Sequence, residues 1–176
     1  MTFVSTSSSG LKATGFPMGS GNTMTMWWVG TSPTSPDDFN ARVISYTAPG
    51  TTDGNSAGSF CLYKGASGQN FFTYLRNGSE GNIGILPAST SPLRMILTVR
   101  SDGFWRYYIN NSVVYWDGPT TIAGSWITGG AFTLGRYAGG GTGWNGPMAE
   151  VGIATGYLDA TGVSALDTYL KAKWGL

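Results

Sequence analysis

The feature that most restricts what this chain can become is the stretch from Met95 to Trp116. Three strand-like runs, 95–100, 104–109 and 113–116, are separated by Ser101-Asp102-Gly103 and Asn110-Asn111-Ser112. Asp-Gly and Asn-Asn accept the positive φ angles of tight hairpins, so the three runs form an antiparallel meander. A meander needs further strands to bury its apolar face. The rest of the chain supplies them. Residues 24–30 alternate, with Met24, Met26 and Trp28 on one face and Thr25, Trp27 and Val29 on the other. Segments 42–46, 60–64, 70–76, 126–135 and 147–155 also read as strands, with a weaker one at 82–86. The 28 glycines, with charged residues at only 11%, fit many short strands joined by turns better than helices with charged outer faces. Hydrophobic residues at 41% and seven Trp give enough apolar surface for one folded domain in 176 residues.

Only the tail departs from this pattern. Val163, Leu166, Leu170 and Trp174 fall at helical spacing, Asp159 or Thr161 can cap the start, and Gly175 follows the end. The spacing predicts one amphipathic helix over about 160–174. Its apolar stripe, with Tyr169 beside it, is expected to cover the edge of the sheets. Residues 1–22, rich in Ser and Gly, read as an N-terminal arm or edge segment, and 23–176 as the main domain.

A formal net charge of +1 gives no field to draw in nucleic acid or an acidic membrane. No segment is long and apolar enough to cross a bilayer as a helix, and the first residues lack the pattern of a signal peptide. Cys61, the single cysteine, excludes an intramolecular disulfide and sits in an apolar run, where packing is the ordinary role.

Several motifs, in order, resemble the concanavalin A-like lectin and glucanase superfamily in its laminin G-like form. Leu97-Thr98-Val99 through Asp102-Gly103 to Tyr108-Ile109-Asn110 is similar to that family's central meander. Phe132-Thr133-Leu134-Gly135 is similar to its "ltlG" strand, and the run from Gly146 to Ile153 to its "G-x-I-D-E-V-x-I" strand. The tail from Tyr169 to Gly175 resembles the "YL-x-x-K-W-G" ending of bacterial and phage members. Together with the strand at 23–29, these cover most of the chain. The resemblance implies an all-β jelly-roll β-sandwich of two antiparallel sheets with a short C-terminal α-helix, binding through loops at one end or through a concave face. Ala149 departs from the family's Asp, and Asn111 from its Gly.

The chain has no His, which removes the usual base of serine and cysteine nucleophile systems and the commonest transition-metal ligand. The Glu-x-Asp-x-x-Glu array of glycosidases in the superfamily is also missing. The only glutamates are Glu80 and Glu150, whereas a glycosidase needs two carboxyl groups facing across a cleft. An enzyme is therefore not expected, and a glycoside hydrolase is the weakest reading. Glu150, in an apolar strand with Met148 expected on its own face, reads as a carboxylate tying down a neighbouring loop. Asp37 and Asp38 can offer oxygens to Ca²⁺ or stand in a solvated turn, and Asp53 with Asn55 is a weaker case; no other cofactor is expected. Arg94, Arg100 and Arg106 read as a solvated ladder on a sheet face.

The best candidate site is the glycine-rich segment holding Arg136, Tyr137, Trp144 and Asn145. Sugars stack C–H faces on aromatic rings while amide and charged groups read their hydroxyls. Trp144 can equally be a cover for the core. Two functional classes remain. One is a structural or surface module of a virus particle, a phage capsid decoration or tail-associated protein that can also adhere to glycans. The other is a carbohydrate-binding lectin domain of a secreted bacterial protein. The partners expected are a capsid or other virion protein, or a cell-surface glycan, at a virion surface or outside the cell, and a homo-oligomer is compatible with both.

Overall fold

The computed structural model describes residues 2–3, 11–14, 23–31, 42–51, 56–64, 71–76, 79–85, 91–116, 128–135 and 146–176. Twelve strands and one helix follow in order: β1 Thr2–Phe3, β2 Leu11–Ala13, β3 Met24–Gly30, β4 Arg42–Thr47, β5 Phe60–Lys64, β6 Phe71–Arg76, β7 Ser79–Ile85, β8 Leu93–Val99, β9 Trp105–Ile109, β10 Ser112–Trp116, β11 Ala131–Leu134, β12 Gly146–Thr155 and α1 Ala160–Trp174. They form two six-stranded antiparallel sheets, β1-β12-β3-β8-β9-β10 and β2-β11-β4-β5-β6-β7. The architecture is the expected jelly-roll sandwich with a short C-terminal helix. The meander is β8-β9-β10. Asn110 and Asn111 take φ of 48° and 66°, and Gly103 takes 87°, the left-handed values that their hairpins require.

Alternation decides which side chains meet between the sheets. Met24, Met26 and Trp28 of β3 pack with Leu93, Met95, Leu97 and Val99 of β8 and with Trp105, Tyr107 and Ile109 of β9. Val43, Ile44, Tyr46, Phe60, Leu62 and Phe132 come from the second sheet. Burial pushes the Tyr107 phenol well above its ordinary pKa. Tyr46 stacks on Phe60 and its hydroxyl accepts the Gly130 N–H at 3.0 Å. The backbone there comes so close that a Cβ on Gly130 would stand 2.2 Å from the Thr47 carbonyl oxygen. Cys61 is buried with Tyr63 in a small cluster apart from this core.

The opposite face of β3, with Thr25, Trp27 and Val29, receives the helix. Val29, Ile96 and Tyr108 are buried together with Val163 and Leu170 of α1, and Trp27, Leu158 and Leu166 pack around them. The helix therefore lies across the face of β3, β8 and β9 rather than along an edge, because a strand face that alternates to apolar residues offers more area than an edge. Tyr169 stays 53% exposed and is not part of the buried stripe. Asp159 caps the N-terminus by accepting from the Gly162 N–H at 2.9 Å, and Gly175 closes the C-terminus at φ 67°.

The covering helix changes the arginine ladder. Arg94 is not solvated: it is buried and donates from Nε and Nη2 to both oxygens of Asp167 on α1, at 2.9 and 3.1 Å. Arg100 pairs with Asp102 within its own turn and Arg106 is half-buried. Thr25 fastens the entry to the helix, donating to the Gly156 carbonyl at 2.8 Å and accepting from the Leu158 N–H at 3.2 Å.

Candidate functional site

The strand ends define where loops gather. In the first sheet Gly30 is level with Leu93 and Met148. In the second, Arg42 is level with Tyr63, Ile44 with Leu134, and Phe71 with Ile85. Four separate connections join these two sets of ends: from β1 to β2, from β3 to β4, from β7 to β8 and from β11 to β12. One end of the sandwich thus carries four crossovers between sheets. The flanks of the β11–β12 connection are fixed on both sides. The Gly135 N–H donates to the Val43 carbonyl at 3.1 Å, and the Pro147 carbonyl accepts the Thr31 N–H at 3.3 Å. Within the first 22 residues, Leu11–Ala13 pairs with β11 before that connection, and Thr2–Phe3 pairs with Pro147 and Gly146 after it.

Arg136, Tyr137, Trp144 and Asn145 belong to that connection, and Asp37 and Asp38 to the one between β3 and β4. All six lie outside the described residues, as do Asp53 and Asn55. Among the described residues, no three Asp, Glu or Cys side chains come together as a metal-binding group. No described helix is long and apolar enough to cross a membrane.

A second constellation stands on the outer face of the first sheet near the same end. A register shift between Met148 and Glu150 turns them to opposite sides. Met148 joins the core, so it does not share a face with Glu150, contrary to the reading from strict alternation. Glu150 is partly buried, and its Oε1 accepts the Trp27 Nε1–H at 3.1 Å. Its Oε2 accepts the Trp174 Nε1–H at 2.9 Å and faces the Lys173 ammonium at 2.8 Å. The carboxylate therefore ties down the end of α1, not a loop. Burial raises its pKa, but the donors Lys173, Trp174 and Trp27 outweigh that and hold it below its ordinary value.

Lys173 is held above its ordinary value by Glu150 and the Tyr169 hydroxyl. Its ammonium lies 5.4 Å from the Tyr169 ring centre and 5.6 Å from that of Trp174, so two exposed aromatics flank one cation. Trp27 lies across β12 at Gly152, where a Cβ would stand 2.0 Å from the indole. The sequence carried a signal for this cluster that its reading left unjoined: a glutamate in an apolar strand needs donors, and the tail holds Lys173-Trp174 in succession.

No protein-family model matches the chain, and no curated protein sequence matches it significantly. Solved structures do match in fold. The native heptameric SAP-like pentraxin from Limulus polyphemus superposes with a TM-score of 0.72 at 15% identity, covering 94% of this chain and 80% of that one. Domain 4 of AbnA, a GH43 extracellular arabinanase from Geobacillus stearothermophilus, solved in complex with arabinotriose, gives 0.62 at 16% identity over 90% and 72%. The botulinum neurotoxin serotype G binding domain gives 0.67 at 14% identity, covering 96% of this chain but 42% of that one. These likenesses establish the lectin-like jelly-roll fold.

Proposed function

We propose that this domain binds carbohydrate and does not transform it, through Arg136, Tyr137, Trp144 and Asn145 on the connection between β11 and β12. The observation that carries the reading is the convergence of four crossovers at one end of a sandwich whose flanking strands are fixed there. A rigid rim with variable connections is where a β-sandwich carries its recognition residues. Likeness in fold to an arabinanase domain solved with arabinotriose supports the same reading. Trp144 and Tyr137 supply ring faces for sugar C–H groups, while Arg136 and Asn145 supply donors and acceptors for hydroxyls. Asp37 and Asp38, on another crossover of that end, are the candidates for Ca²⁺. The absence of His and of a glutamate array from the sequence favours binding over catalysis.

The test is a glycan-array screen of the purified protein and of Trp144→Ala, each with Ca²⁺ and with chelator. Binding by the parent that falls at least ten-fold in the variant is the expected result. Silence of the parent across the array would overturn the carbohydrate reading. Display on a virion, as a capsid decoration or tail-associated protein, is the second reading, and its support is the similarity of the tail from Tyr169 to Gly175 to phage and bacterial members. Both readings place the domain at an exposed surface.

A further inference from the structure

Among the described residues the exposed large hydrophobics are Leu11, Tyr169 and Trp174, at 50%, 53% and 39%. The two aromatics stand near the C-terminal end of α1, with Lys173 between them. An exposed ring is ordinarily free to turn and loses that freedom on binding. These rings are already held by their polar edges. Trp174 donates from Nε1 to Glu150 at 2.9 Å, and the Tyr169 hydroxyl bonds to the Lys173 ammonium, which itself stands 2.8 Å from Glu150. Glu150 is fixed in turn by the Trp27 indole, which lies across Gly152 where a Cβ has no room. The brace therefore runs from the sheet to both rings, while their apolar surface stays open to solvent. Docking of a protein takes contiguous apolar surface of several hundred Å². Here a hydroxyl and an ammonium separate two rings, and that alternation of small apolar faces with polar groups matches the surface of a sugar. Charge narrows the class. Glu150 counters Lys173, so the patch has no net charge to select an anion, yet only two of the three ammonium N–H groups are engaged by Glu150 and Tyr169.

We propose that Tyr169, Lys173 and Trp174 form a second carbohydrate site, for neutral oligosaccharides, on the outer face of the first sheet and apart from the connection between β11 and β12. The two rings take C–H faces of the sugar, and the remaining N–H of Lys173 donates to a hydroxyl between them. Glu150 and Trp27 are positioning residues, which hold the platform without touching the ligand. The site shares only its class of ligand with the loop reading and stands or falls separately from it.

The seven indole N–H signals of the ¹⁵N-labelled full chain give a separate reporter for each site. Trp174→Phe and Trp144→Phe assign the two that matter, and the probes are arabinotriose, xylotriose, cellotriose and maltotriose at millimolar concentration. At least one trisaccharide is expected to shift the Trp174 signal to saturation, and to do so equally in Trp144→Ala. Tyr169→Ala is expected to weaken that response roughly ten-fold, the worth of one stacked ring, while Tyr169→Phe, which keeps the ring, binds close to the parent. Position 169 is exposed, so both changes should leave the fold intact, and circular dichroism checks this. A Trp174 signal unmoved by every trisaccharide, or moved equally in Tyr169→Ala, would overturn the proposal. A shift confined to Trp144 would do so while upholding the loop reading, and one confined to Trp174 would uphold this site and remove the loop.

Discussion

At the scale of single residues, the helix is fixed by charges whose partners were hidden from a linear reading. Asp167 and Arg94 are buried together, and removing one charge would leave the other unpaired away from water. Asp167→Ala is therefore expected to cost about 3–5 kcal/mol in urea unfolding, and the double change Arg94→Met with Asp167→Leu to recover most of it. Glu150 yields a pH dependence. Its folded pKa lies below its ordinary value of 4.5, so its contribution is complete above that value and is lost as pH falls below it through the folded value. Melting temperature should fall over that acid range, and Glu150→Gln should lower stability at neutral pH while flattening the acid decline. The faces of Met24 to Val29 were legible in the sequence because no bulge interrupts them. The relation of Met148 to Glu150 was not, because one extra residue in β12 reverses every later side chain and leaves no compositional mark. Arg94 was misread for a related reason: alternation assigns it to an outer face but does not say that a helix covers that face.

At the scale of elements, strand identity came from period-two patterning and turn chemistry, and both read well. β5 occupies the expected residues, β4, β6 and β8 differ from expectation by one or two residues at their ends, and β11 is only Ala131–Leu134 where 126–135 was expected, because 128–129 form a turn. The helix was equally legible, bounds and cap included, since Asp159 and Gly175 are local signals. Its resting place was not legible: an apolar stripe states that a face is buried but not against what. Because α1 closes over Val29, Ile96 and Tyr108, its stability is part of the sheet's stability. Asp159→Ala should lower the unfolding free energy of the whole domain by about 1 kcal/mol, with far-UV and near-UV signals shifting together. Loss of the far-UV signal alone would show that the helix frays independently.

At the scale of the whole molecule, the sequence resemblance specified a two-sheet sandwich, and the strand order now shows how the chain threads it. In the first sheet β3 lies between β12 and β8, so a strand begun at residue 24 has neighbours begun at residues 93 and 146. The candidate loop residues were chosen by chemistry alone. That the β3–β4 and β11–β12 connections leave from the same end could be deduced only from the order of strands, which periodicity does not encode. This order has a consequence for how the protein comes into being. On the ribosome β3 waits for most of the chain before either neighbour exists, and β1 waits for β12. Until Leu158, Val163, Leu166 and Leu170 emerge, Val29, Ile96 and Tyr108 lack the cover of the helix. Such non-local closure makes for folding in milliseconds to seconds, once the residues of β12 and α1 are available. Before then the uncovered face of β3, β8 and β9 is at its most prone to aggregate, and a holdase that shields it would raise the yield of native protein.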